Sequence, residues 1–237
     1  MATMIRESRK NDLIHFYQLF RILEQKTGGP FYLFNGNPSS LPRRGVYFFM
    51  EHGELRTDTG TGFRIVRVGT HGLTNGSSAT LGQRLTQHKG IIKSGGGNHR
   101  GSIFRKLVGS SLLDSHFGCS EWGQGTSANA DIRLNEEPLE KEVSSIIRNM
   151  PFLYLNVDDA ASPDSLRGIV ERNSIALLSN YKKPPLDLPS PLWMGYQCNR
   201  ERVRLSGLWN QNHVDEAYDP LFLNTFELLI NKTGCSL

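Results

Sequence analysis

The chain has 237 residues, 38% of them hydrophobic and 21% charged, with a formal net charge of +4. That balance excludes a disordered chain, permits a sizeable buried core, and leaves nucleic acid open as a partner without requiring it. Three widely spaced cysteines (Cys119, Cys198 and Cys235) with no CxxC pair argue against a disulfide framework or a cysteine zinc site. No apolar start of signal-peptide type and no run near the roughly 20 apolar residues of a membrane span is present, so the expectation is a cytoplasmic protein that does not enter a membrane.

Along the chain, Asn11 or Asp12 can cap a first helix whose apolar residues Leu13, Phe16, Leu19, Phe20 and Leu23 recur at helical spacing, with Gly28, Gly29 and Pro30 as its stop. Apolar runs over 45–50 and 63–69 predict two strands joined by a connection longer than a tight turn. Thr80, the run LGQRLTQHK and Gly90 read as a short helix with an N-cap and a glycine stop. A glycine-rich basic loop follows, then a helix over SIFRKLVGSSLL. The amphipathic segment PLEKEVSSIIRNM places Pro138 in a first helical turn, and FLYLNV is a strand candidate. Ser162-Pro163-Asp164 opens a further helix that ends before KKPPLDLPSP, and two helices are expected beyond it, around NRERVRLSGLWNQNHV and LFLNTFELLINKTG. Mixed α+β is the natural class.

Chemistry-bearing residues gather around the second strand and the short helix. Arg84 and His88 are four apart and share a helix face, beside the core-facing Leu81 and Leu85. The preceding strand ends in Val68-Gly69-Thr70-His71, and Tyr47 lies on the neighbouring strand. A tyrosine, an arginine and two histidines can thus meet at one end of a small sheet.

Gly45-Val46-Tyr47, Arg67-Val68-Gly69, Arg84 with His88, and Glu171 in IVERNSIALLSNYKKPP, in that order, resemble the GIY-YIG nuclease superfamily, with the Arg/His helix similar to its restriction-endonuclease branch. The resemblance covers 45–90 and about 165–185. Arg67 stands where the family usually has tyrosine. The resemblance implies a small, largely antiparallel sheet flanked by helices, with an inserted helical segment at about 91–160. The core would span 41–185, after a helical element over 1–40 and before a helical extension over 186–237.

It further implies a metal-dependent endonuclease acting on DNA, with a restriction-type or genome-defence role; RNA and pairing into a homodimer stay open. In that reading Arg84 supplies donors for a pentavalent phosphate and Glu171 is a hard oxygen ligand for Mg²⁺ or Mn²⁺. Tyr47 acts as base, His71 or His88 hydrogen-bonds the water or Tyr47, and Arg67 favours phenolate or holds phosphate. Glu142 is the rival metal carboxylate. Asn98, His99 and Arg100 in the glycine-rich loop, with Asn180 beyond the glutamate helix, are candidate nucleic-acid contacts. The alternative is a non-catalytic nucleic-acid-binding protein with a degenerate fold of this type. Coincidence of short motifs in a structural protein is the third reading.

Overall fold

The computed structural model describes residues 2–34, 37–38, 41–116 and 118–233, and Cys235 lies outside them. Period-two alternation along β1 (Gly45–Leu55) sends Val46, Phe48 and Met50 to one face and Tyr47 and Phe49 to the other. β1 is the centre of a three-stranded antiparallel sheet of order β2-β1-β3, with β2 at Phe63–Gly69 and β3 at Phe152–Asn156. The third strand comes from the stretch between the two regions that carry the motifs.

Helices cover both faces. On the Val46 side, α1 (Ala2–Thr27), α5 (Leu166–Leu178) and α7 (Phe222–Lys232) bury Phe16, Leu23, Val170, Leu177 and Phe226. On the Tyr47 side, α2 (Leu81–Lys89), α3 (Ile103–Ser110) and α4 (Ala130–Asn149) supply Leu81, Leu85, Phe104, Val143 and Ile147. The fold is α+β, a small antiparallel sheet between helical layers, with a helix close to the C-terminal end.

Both free edges of the sheet are closed. Phe31 exchanges backbone hydrogen bonds of 2.9 Å in each direction with Phe152 on β3. On β2, the Trp209 N–H donates to the Val66 carbonyl at 2.6 Å, and the Asn210 side chain satisfies both backbone groups of Val68 at 3.1 and 2.9 Å. Contacts of this kind blunt each edge where they fall.

Several elements depart from the periodicity-based expectation. α1 starts at Ala2 rather than at Asn11, because Arg9 already enters the interior: it donates to the carbonyls of Leu177, Ser179 and Pro184 at 2.9, 2.8 and 2.7 Å. It thereby satisfies carbonyls left open at the end of α5. Pro138 lies inside α4, not in its first turn. The carbonyl that it leaves without a helical donor belongs to Leu134, a residue 67% exposed, so the loss falls on the solvent side of the helix. α6 is only Glu201–Ser206, ended by Gly207 in the left-handed conformation at φ 75°.

Candidate active site

The short helix α2 is specified locally. Thr80 and Gln83 form a capping box, and the Leu81 N–H donates to the Arg43 carbonyl at 2.9 Å, tying the helix start to the entry of β1. Burial of Leu81 and Leu85 then fixes its rotation, and His88, one turn later, goes under the sheet face with 1% of its surface exposed. Its Nε2 lies 2.8 Å from the Tyr47 hydroxyl and its Nδ1 2.8 Å from Ser102 Oγ. Burial, with Arg67, Arg84 and Arg105 nearby, holds the imidazole far below its ordinary pKa, so the ring is neutral. In the tautomer with Nδ1–H donating to Ser102, the Nε2 lone pair accepts from the phenol.

The motif glycines have physical reasons. Gly69 pairs with Tyr47 across the ladder, and a Cβ there would overlap the tyrosine ring and its hydroxyl. A Cβ on Gly45 would meet the Leu155 carbonyl of β3. Each glycine allows another part of the site to approach closely.

Arg67 reaches the Tyr47 side by simple alternation, two residues from Gly69 and paired with Phe49. Beyond that pair a β-bulge follows: Met50 pairs with Ile65, so Val66 is the extra residue, and it joins the Tyr47-side core. The Nη1 of Arg67 donates to the Trp209 carbonyl at 2.6 Å, and its guanidinium lies 5.5 Å from the Phe104 ring centre. Burial raises the Tyr47 pKa, and the nearby Arg67 and Arg84 charges oppose the rise.

Glu171, on α5, accepts from the Thr70 N–H at 3.1 Å, just past the end of β2. Burial raises its pKa, and the charges of Arg67 and then His213 pull it back. Tyr47, Arg67, Arg84 and Glu171 thus share one electrostatic neighbourhood.

His71 donates through Nδ1 to the Ala79 carbonyl at 3.1 Å, while its buried Nε2 has no hydrogen-bond partner among the described residues. Burial first, and then Arg167, lowers its pKa to about 4, so this ring is also neutral at ordinary pH. It lines a cleft of about 740 Å³ together with Thr80, Gln83, Arg84 and Gln87. Arg84 is half-buried there, its side-chain bond going to Gln87 at 3.0 Å.

The remaining candidates have partners inside the protein. The Asn98 side chain caps a short 3₁₀ turn by accepting from the Arg100 N–H at 3.0 Å. His99 is buried, with Nδ1 2.9 Å from Glu140, Nε2 accepting from Gly123 N–H at 3.0 Å, and its ring stacked on Trp122. Arg100 makes a bidentate pair with Glu136 at 2.6 and 2.8 Å. These three side chains organise the loop against α4, which leaves the His99 ring no free nitrogen for nucleic acid. Asn180 bonds Arg9 and both backbone groups of Leu186, at 3.2, 3.0 and 3.0 Å, away from the cleft. Glu142 is solvent-facing on α4 and pairs with His116 at 2.6 Å. Ser102, Trp209 and His213 entered the neighbourhood unannounced: only the first, a hydroxyl ahead of a helix, has a local signature, that of an N-cap.

Among the described residues no group of three or more His, Cys, Asp or Glu side chains is placed to hold a metal ion, and no helix is long and apolar enough to cross a membrane. Glu171 nevertheless suits a hard divalent cation: one oxygen is fixed by Thr70, and the other has no hydrogen bond among the described residues. Mg²⁺ needs few protein ligands because it keeps several waters.

Searches among curated proteins and among solved structures found no match to this chain. The family described as "GIY-YIG domain" matches residues 7–235, nearly the whole length of 237. With the tyrosine strand, the glycine that clears its ring, the Arg/His helix and the glutamate helix in place, the chain belongs to the GIY-YIG domain family, whose characteristic activity is that of a nuclease.

Proposed function

We propose that the protein is a divalent-metal-dependent endonuclease that hydrolyses DNA phosphodiester bonds, with Tyr47, Arg67, His71, Arg84, His88 and Glu171 as its working residues. The observation that carries this reading is the 2.8 Å contact between the Tyr47 hydroxyl and a neutral, buried His88 Nε2, itself backed by Ser102 at 2.8 Å. Tyr47 keeps its proton at rest, since burial raises its pKa and lowers that of His88. It serves as a relay: it takes the proton of an attacking water while passing its own to Nε2, so no free phenolate is required. The water oxygen forms a bond to phosphorus, the bond to the 3′-oxygen breaks, and that oxygen leaves as a hydroxyl after taking a proton from solvent. Arg84, which lines the cleft, and Arg67, on the Tyr47 face of the sheet, would offset the charge that builds on the phosphoryl oxygens. Glu171 would hold Mg²⁺ or Mn²⁺, which supplies Lewis-acid stabilisation of the phosphate when bound.

Incubation with supercoiled plasmid, linear DNA and RNA in Mg²⁺ or Mn²⁺, followed by mapping of the ends, tests the reading. Cleavage by the wild type and its loss in Tyr47→Phe and Glu171→Ala are expected. Arg67 in place of the family's tyrosine favours one second reading, a nucleic-acid-binding protein without catalysis. Salt-sensitive DNA binding with no cleavage in any metal would select it. The reading takes the site to work in the cytoplasm and treats pairing into a homodimer as a question for sedimentation with DNA bound.

A further inference from the structure

Charge is spread unevenly along this chain. It has 23 acidic residues, yet none lies in 25–50 or 59–113, the two stretches that carry the Tyr47 motif, β2, α2 and the loop after α2. Arg43, Arg84, Lys89 and Lys93 fall inside these stretches, far in sequence from any carboxylate.

In the fold, α2 brings such cations into line. Gln83, Arg84, Thr86 and Gln87 line the cleft, and no lining residue is a carboxylate. The Asn37 side chain is laid along the same helix. Its amide nitrogen donates to the Gly82 carbonyl at 2.9 Å and to Thr86 Oγ1 at 3.1 Å, and its oxygen accepts from Lys89 Nζ at 3.3 Å. Lys89 therefore lies just past the cleft, and Arg148 of α4 joins it, with Nε donating to the Lys89 carbonyl at 2.7 Å. Among the described residues neither Lys89 nor Arg148 forms an ion pair.

Closing the helix end accounts for only part of this cluster. The C-terminus of a helix carries roughly half a negative charge, which one cation offsets. Here three cations meet it: Arg105 on the His88 carbonyl at 2.8 Å, Arg148 on that of Lys89, and Lys89 itself. Glu140 neutralises Arg105, and no described carboxylate pairs with the other two. Burial first, and then the Arg148 charge, lowers the pKa of Lys89, as expected of like charges with no anion between them. The spacing suits a polyanion. Arg84 and Lys89 are five residues apart on α2, about 7 Å along its axis, which matches about two phosphates of one duplex strand.

We propose that Lys89 and Arg148 form a phosphate-binding surface that carries a nucleic-acid backbone out of the cleft along α2, about two phosphates beyond the one held at Arg84. The proposal rests on the nuclease reading for what fills the cleft; its own content is the path of the strand and the two cations that hold it. The chemistry recognised is the phosphodiester backbone, which DNA and RNA share.

The test titrates full-length protein against short fluorescent duplexes of DNA and of RNA, without divalent metal so that no strand is cut, over a range of salt concentrations. Lys89→Met keeps the aliphatic stem and removes the charge. Its slope of log affinity against log salt should be smaller in magnitude by about one, and that of Lys89→Met with Arg148→Gln by about two. Lys89→Arg should keep the wild-type slope. So should Lys232→Met, which removes an exposed charge from α7 on the other face of the sheet. Lys89→Met should melt with wild type, and it decides the matter alone if the double variant does not fold. The duplex whose slope falls identifies the backbone that the surface takes. A wild-type slope in Lys89→Met with both duplexes overturns the proposal, as does an equal fall in Lys232→Met. Plasmid nicking by wild type alongside unchanged slopes would leave the nuclease reading intact. Slopes that fall as expected, with no nicking in any metal, would sink that reading and keep the surface.

Discussion

Arg84 and His71 show how differently one cleft treats two side chains. Arg84 spends its one side-chain bond on Gln87 and is half-buried, so Arg84→Ala removes charge without opening the core. Cleavage should fall by about 10²–10³ while the melting temperature stays near that of wild type, measured by plasmid nicking and calorimetry. His71 is held neutral by burial, at a pKa of about 4 against the ordinary 6.5. Between those values the unfolded chain carries the extra proton, so the contribution of His71 to stability is lost as pH falls from 6.5 towards 4. Buried, depressed His88 acts in the same direction, whereas the raised carboxyls of Glu171 and Glu51 act in the other. In His71→Gln the drop in urea midpoint between about pH 7 and about pH 5 should therefore shrink; an unchanged drop would mean that the ring is charged in the folded protein.

At the scale of elements, the β1–β2 ladder depends on one missing side chain. Gly69→Ala places a methyl into the Tyr47 ring, which overpacks the site by about 1–3 kcal/mol and pushes the phenol off His88. Denaturant melts and nicking assays on this variant should show both losses together. Local signals made much of this region legible before the structure: the Thr80 cap, the Leu81/Leu85 face and the Gly90 stop specify α2, and alternation specifies β1. The motif order led to Tyr47, Arg84, His88 and Glu171. What stayed hidden depends on distant partners. His99 and Arg100 read as candidate nucleic-acid contacts because Glu140 and Glu136, which hold them, come much later on α4. Asn180 read as a site residue because its partner Arg9 lies on the first helix. The bulge at Val66, which brings that valine to the Tyr47 side, has no glycine or proline to announce it. α6 was overextended because Gly207, which ends it, lies within an apolar run that reads as helix.

For the molecule as a whole, the site is assembled from segments far apart in the chain. Arg105 ties the α2 terminus to α4, donating to the His88 carbonyl and the Glu140 carbonyl at 2.8 Å each. Arg105→Met should therefore disturb His88 as well as the α4 packing. Loss of activity at a temperature where far-ultraviolet circular dichroism still reports native helix would show that the two are linked. The strip at Trp209 and Asn210 has a consequence in time. Arg67 is made early but acquires its carbonyl partner only when Trp209 has been synthesised and has left the ribosome. A growing chain that has already formed its strands still lacks a held Arg67, so the proposed site stays incomplete until Trp209 has emerged. Chains stalled on the ribosome with Trp209 still in the exit tunnel should fail to nick plasmid. The same chains carrying a linker that brings residue 233 out of the tunnel should nick it.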